Sequence, residues 1–148
     1  LIGLVLYDIL MKTKARSEAM AATRAKAHSR SWARLHEGAR QATTGASWNE
    51  VVQIYELLAG VIFEAIDQAY AVEARSRPRS QLKEMLVGDH GLSETVWDQI
   101  SRLLEYAEMV RFASTVGAVS EQAARKDLAR WVTSGEEVTR ALQSRKLS

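Results

Sequence analysis

The chain has 148 residues with 20 Lys/Arg against 18 Asp/Glu, a net charge of +2, one proline and no cysteine. That length suits a single domain with one real core. The missing cysteines exclude a disulfide scaffold and a cysteine-ligated zinc site, and suit the reducing cytoplasm. Alanine, leucine, glutamate and arginine are good helix formers. No stretch carries the sustained Val/Ile/Thr alternation of a half-buried strand. The predicted class is all-α: a bundle of four to five helices extending from the end of a transmembrane helix.

Leu1 to Leu10 are almost wholly apolar, and Met11-Lys12-Thr13-Lys14-Ala15-Arg16 follow. A span needs about 20 apolar residues, so residues 1–11 read as the end of a transmembrane helix whose first half lies outside this chain. Lys12, Lys14 and Arg16 obey the positive-inside rule, with Tyr7 at headgroup depth, and these four are the membrane-interface candidates. Asp8 favours the alternative, an ordinary start to a soluble helix. Residues 12–31 are rich in Ala, Arg, Lys and Ser and form a basic helical stalk, with too little apolar surface to dock. Ala25, His28, Trp32, Leu35 and Ala39 then fall on one helix face, so the bundle domain is placed at 32–148. Trp32 and Leu35 are candidate partner-binding residues, since a tryptophan among Arg30, Arg34 and Arg40 has hot-spot composition. The alternative for Trp32 is that it staples the stalk to the domain.

Thr43-Thr44-Gly45 ends the first helix. Ser47-Trp-Asn-Glu50 is a capping box. The helix it opens should run to about Glu73, with two adjacent apolar faces that make it the centre of the bundle. Gly60, in its middle, predicts close approach of another helix. A break follows at Arg75-Ser-Arg-Pro-Arg79, where Arg75, Arg77 and Arg79 are candidates for an acidic partner or anionic lipid, against the alternative of a solvated loop. A short helix spans 80–87, residues 88–91 turn, and Ser93 caps a helix ending at Phe112. Residues 114–119 are expected to be loop. Ser120 caps the last helix, and Ser134-Gly-Glu-Glu137 offers a restart within it. The core should hold Val52, Tyr55, Leu58, Ile62, Ile66, Leu86, Trp97, Ile100, Leu104, Leu128 and Trp131.

Charge alternates by segment. Residues 1–46 carry eight bases and three acids, 47–74 no base and five acids, and 84–112 two bases and six acids. Such patterning suits helices that pair with each other or with partners. His28, His36 and His90 lack metal-ligand spacing, and no Gly-rich phosphate loop or nucleophile elbow occurs. The reading is therefore a non-enzyme without metal or cofactor. The alternative is a helix-turn-helix nucleic-acid-binding domain over Leu82–Leu104. Glu94 and Asp98 stand against it, where phosphates would lie.

Tyr55-Glu-Leu-Leu58, Leu82-Lys-Glu-Met-Leu86 and the run Leu103-Leu-Glu-Tyr-Ala-Glu-Met-Val-Arg-Phe112 carry a resemblance. Over roughly residues 48–133 the chain resembles the cytoplasmic C-terminal domain of BatD-type aerotolerance membrane proteins and related MoxR/von Willebrand A-associated domains. It departs in lacking the threonine that usually caps the short helix, with Ser80 the nearest substitute, and the motifs are packing motifs. The resemblance implies a scaffold in the bacterial inner membrane with this domain cytoplasmic. Its implied partners are a MoxR-type AAA+ ATPase and von Willebrand A-domain membrane proteins. It carries over no catalytic residue.

Overall fold

The computed structural model describes residues 2–116 and 119–146. Five α-helices follow one another: α1 (Ile2–Ala42), α2 (Trp48–Tyr70), α3 (Arg79–Lys83), α4 (Glu94–Val116) and α5 (Glu121–Lys146). A 3-10 turn (Ala74–Ser76) precedes α3, and a π-type turn (Glu84–Asp89) follows it. No strand occurs among the described residues, so the all-α bundle is correct. The chain divides inside α1 into two compact units, residues 1–33 and 34–148.

In the second unit α2 packs against both α4 and α5, and these against each other. The capping box forms as its residues dictate: the Glu50 backbone N–H donates to Ser47 Oγ, and the Ser47 N–H to the Glu50 carboxylate. Val51, Ile54, Leu58, Val61, Ile62 and Ile66 bury both apolar faces of α2. Of the expected core, Val52 and Trp131 are only half-buried; the rest is enclosed. The last turns of α1 join this unit. Leu35, Ala39 and Ala42 are buried, His36 pairs with Glu136 of α5, and the Arg125 guanidinium donates to the carbonyls of Ala42 (3.1 Å) and Ala46 (2.6 Å). Gly38 is where α1 meets α2: a Cβ there would stand 2.5 Å from Ile54 Cδ1.

Several expectations are corrected. Helix α2 stops at Tyr70, because Ala71 turns left-handed (φ 53°) and its N–H returns to the Asp67 carbonyl. The Asp67 side chain then accepts from the Ala74 N–H at 2.7 Å, which ties the departing chain to the helix end. Gly60 faces no helix; a Cβ there would lie 3.2 Å from an Arg75 guanidinium nitrogen. Helix α4 continues to Val116, since no glycine or proline interrupts it before Gly117, and residues 117–118 lie outside the described residues. Helix α5 runs uninterrupted past Gly135, whose carbonyl accepts from Thr139 Oγ1.

In the first unit every large apolar side chain from Ile2 to Met11 is at least 48% exposed, and residues 12–27 are exposed as well. Ala25 is thus not part of a docked face, and burial starts at half-buried His28. Among the described residues no helix is long and apolar enough to cross a membrane.

Ala71 and Glu73 both hold positive φ without being glycine. A left-handed conformation costs an L-residue about 1–2 kcal/mol, part of which glycine gives back in unfolded-state entropy. Ala71→Gly should therefore raise the unfolding free energy by about 0.5–1 kcal/mol, read from urea unfolding.

Candidate functional site

The turn after α2 places three arginines. The Arg75 guanidinium lies 5.0 Å from the centre of the Phe63 ring, with Gly60 leaving room beside it. Arg77 Nε donates to the Val72 carbonyl, and Arg79 pairs with Glu108 of α4. Arg75 is exposed, and Arg77 and Arg79 are half-buried. Each guanidinium is engaged within the domain, and together they clasp the turn to α2 and α4.

Under that clasp runs a groove of about 440 Å³ between α2 and α4. Ala59 and Ala107 narrow its walls, Phe63 and Leu104 supply apolar surface, and Glu56, Arg75, Glu108 and Arg111 set charges around it. Arg111 stands 3.7 Å from Glu56, both exposed, so that pair adds little stability. The groove holds two guanidiniums and two carboxylates and no Ser, Thr, Cys or His. Such a lining can bind and orient a ligand that carries both apolar surface and charge. Its sequence signal was present yet unread: Glu56, Ala59 and Phe63, and Leu104, Ala107 and Arg111, each follow helical spacing with alanine between larger residues.

A second cluster joins the three long helices of the bundle. Tyr55 on α2 donates its hydroxyl to the Ala124 carbonyl on α5 at 2.6 Å. Its ring lies 5.7 Å from Tyr106, which stacks on Trp131 at 4.9 Å. Burial pushes the Tyr55 phenol well above the ordinary tyrosine range, with the neighbouring Tyr106 and Asp127 adding to it. Burial and then Asp127 raise Tyr106 as well.

Trp32 is 9% exposed and donates Nε1 to His28 Nε2 at 2.9 Å, and Leu35 is wholly enclosed. Both are thus among the chain's buried apolar side chains. Tyr7, Lys12, Lys14 and Arg16 are all exposed, and Lys12 pairs with Asp8 at 3.2 Å. His36 is held by Glu136 and His90 lies against the Tyr70 ring. Among the described residues no group of three or more His, Cys, Asp and Glu could hold a metal ion. In the Leu82–Leu104 segment the exposed residues of α4 include Glu94, Asp98 and Gln99, with Arg102 the one cation. Comparison with protein-family models, curated proteins and solved structures gives no match.

Two outcomes are expected. Trp32→Ala should cost about 3–5 kcal/mol in denaturant unfolding, as truncation of buried aromatics does. The raised tyrosines set an alkaline limit. Below the unfolded tyrosine pKa of about 10 the fold keeps their contribution, and above it the unfolded chain releases protons that the folded chain retains. Stability should therefore fall as pH rises past about 10, and Tyr55→Phe combined with Tyr106→Phe should flatten that fall in thermal unfolding.

Proposed function

We propose that this chain is a non-catalytic interaction domain held at a membrane by the start of α1. One observation carries the reading: the large side chains from Ile2 to Met11 present apolar surface all round the helix and are uncovered, directly before Lys12, Lys14 and Arg16. Each such side chain gains about 1.5–3 kcal/mol on leaving water. Ten helical residues rise about 15 Å, which is half the hydrocarbon thickness. The apolar turns enter the acyl region, Tyr7 lies near the headgroups, and the three cations meet the anionic surface. Asp8 is the unfavourable member, and its pair with Lys12 offsets part of that cost.

In the setting implied by the BatD-type resemblance, the membrane is the bacterial inner membrane and the domain faces the cytoplasm. It would serve as a scaffold for a MoxR-type AAA+ ATPase and von Willebrand A-domain proteins. A groove with apolar walls and charges of both signs around it is in keeping with that role. The acids on the exposed side of α4 support a protein scaffold over the helix-turn-helix alternative, because duplex phosphates would meet like charge there.

Flotation with vesicles containing anionic lipid tests the seating. The wild-type chain should float, and Leu6→Asp combined with Leu10→Asp should leave it in the dense fraction with unchanged helicity. Equal flotation of both chains, or of neither, defeats the reading.

A further inference from the structure

Residues 12–30 of α1 carry four cations and one threonine in a row. Lys12, Arg16, Thr23 and Lys26 follow one another at spacings of 4, 7 and 3, and Arg30 continues the row four residues on. Those intervals keep side chains on one face of a helix. All five are exposed. Among the described residues Arg16, Lys26 and Arg30 have no ion pair, while Lys12 has only its exposed pair with Asp8. The single acid of this segment, Glu18, falls on the other side of the helix. Unpaired like charges along one face repel each other, and an anionic neighbour relieves that repulsion.

The same chain carries the complement. Glu94, Asp98, Glu105 and Glu108 of α4 are exposed and follow the same spacings of 4, 7 and 3. Of these, Glu108 is already paired with Arg79. Aligned in one direction, the rows set Lys12 opposite Glu94, Arg16 opposite Asp98 and Lys26 opposite Glu108. Glu105 meets Thr23, and exposed Phe112 stands beside the aliphatic stem of Arg30. Both rows are about 21 Å long, from 14 residues at the rise of an α-helix.

We infer that the basic face of α1 docks on the acidic face of α4 of a second copy of this chain. Duplex nucleic acid or a lipid surface would satisfy the cations but leave the matching acidic row unused. A second copy pairs Lys12 and Arg16 with Glu94 and Asp98 and brings Lys26 to Glu108. This contact shares Lys12 and Arg16 with the membrane seating proposed above, while Lys26 and Arg30 belong to it alone, and detergent in place of a lipid surface leaves all four cations free for it.

The experiment is sedimentation of the full chain in a non-ionic detergent that covers residues 2–11. Wild type should self-associate at about 50 mM salt and at least about tenfold more weakly at about 500 mM, where the screening length is a few ångströms. One variant reverses α1 (Arg16→Glu, Lys26→Glu, Arg30→Glu), and another reverses α4 (Glu94→Lys, Asp98→Lys, Glu105→Lys). Each alone should lose association by a similar factor while keeping its circular dichroism. Mixed in equal amounts, the two variants should associate again, since each supplies the charge the other lacks. A wild type that stays monomeric overturns the inference, as does association that survives reversal, or a mixture that stays apart. A monomeric wild type that binds anionic vesicles or duplex DNA, and loses that binding on α1 reversal, overturns it in favour of those ligands.

Discussion

Helix α2 is apolar on two adjacent faces, and a helix of that kind is stable only with neighbours on both sides. Its neighbours are α4 and α5, which also pack on each other, so each of the three covers part of the other two. The Tyr55 hydroxyl ties this arrangement across 69 residues by donating to the Ala124 carbonyl of α5. A buried phenol without that acceptor would cost about 1–3 kcal/mol. The last turns of α1 add to the bundle where Gly38 lets the helix backbone approach Ile54.

Local signals were legible in the sequence. Ser47, Ser93 and Ser120 cap α2, α4 and α5 as their spacing requires, with Ser93 Oγ accepting from Val96 and Ser120 Oγ from Ala123. Periodicity identified most of the buried residues for the same reason, since the side-chain period of a helix is fixed by its geometry. The misplaced helix ends have a different origin. Ala71 is not a residue that advertises a left-handed turn, and the bond from the Ala74 N–H to Asp67 that holds the turn spans seven residues. At the other end, Ser114-Thr-Val116 have modest helix propensity, yet nothing among them forces a stop.

The glycines and arginines were legible as residues but not as contacts. Gly60 signalled a close approach, and a guanidinium rather than a helix makes it. Arg75, Arg77 and Arg79 stood out as charge, but a side chain of that length has several places to go, and packing of the turn decides among them. Arg77 reaches a backbone carbonyl of its own turn, Arg75 an aromatic ring one helix turn beyond Ala59, and Arg79 a carboxylate on α4. The groove was unreadable for the same reason. Its two walls lie more than 40 residues apart in sequence, and only the register between α2 and α4 brings Ala59 and Ala107 to one opening.

The exposed part of α1 is stabilised by different means from the bundle. Residues 12–27 bury nothing, so their helix rests on the propensity of Ala, Arg, Lys and Met and on continuity with turns that are buried further along. Thr13, Thr23 and Ser31 return their hydroxyls to carbonyls four residues back, which satisfies the hydroxyls but adds no tertiary contact. Residues 2–11 differ again. Propensity can keep them helical, but it does nothing for the apolar surface they leave in water. The transfer energy of each large side chain there, about 1.5–3 kcal/mol, exceeds the propensity differences among residues other than proline. Residues 12–30 leave cations rather than apolar surface in water. A single helix thus passes from a segment of exposed apolar side chains, through one of exposed cations, to one whose side chains are buried, and a different physical interaction prevails in each.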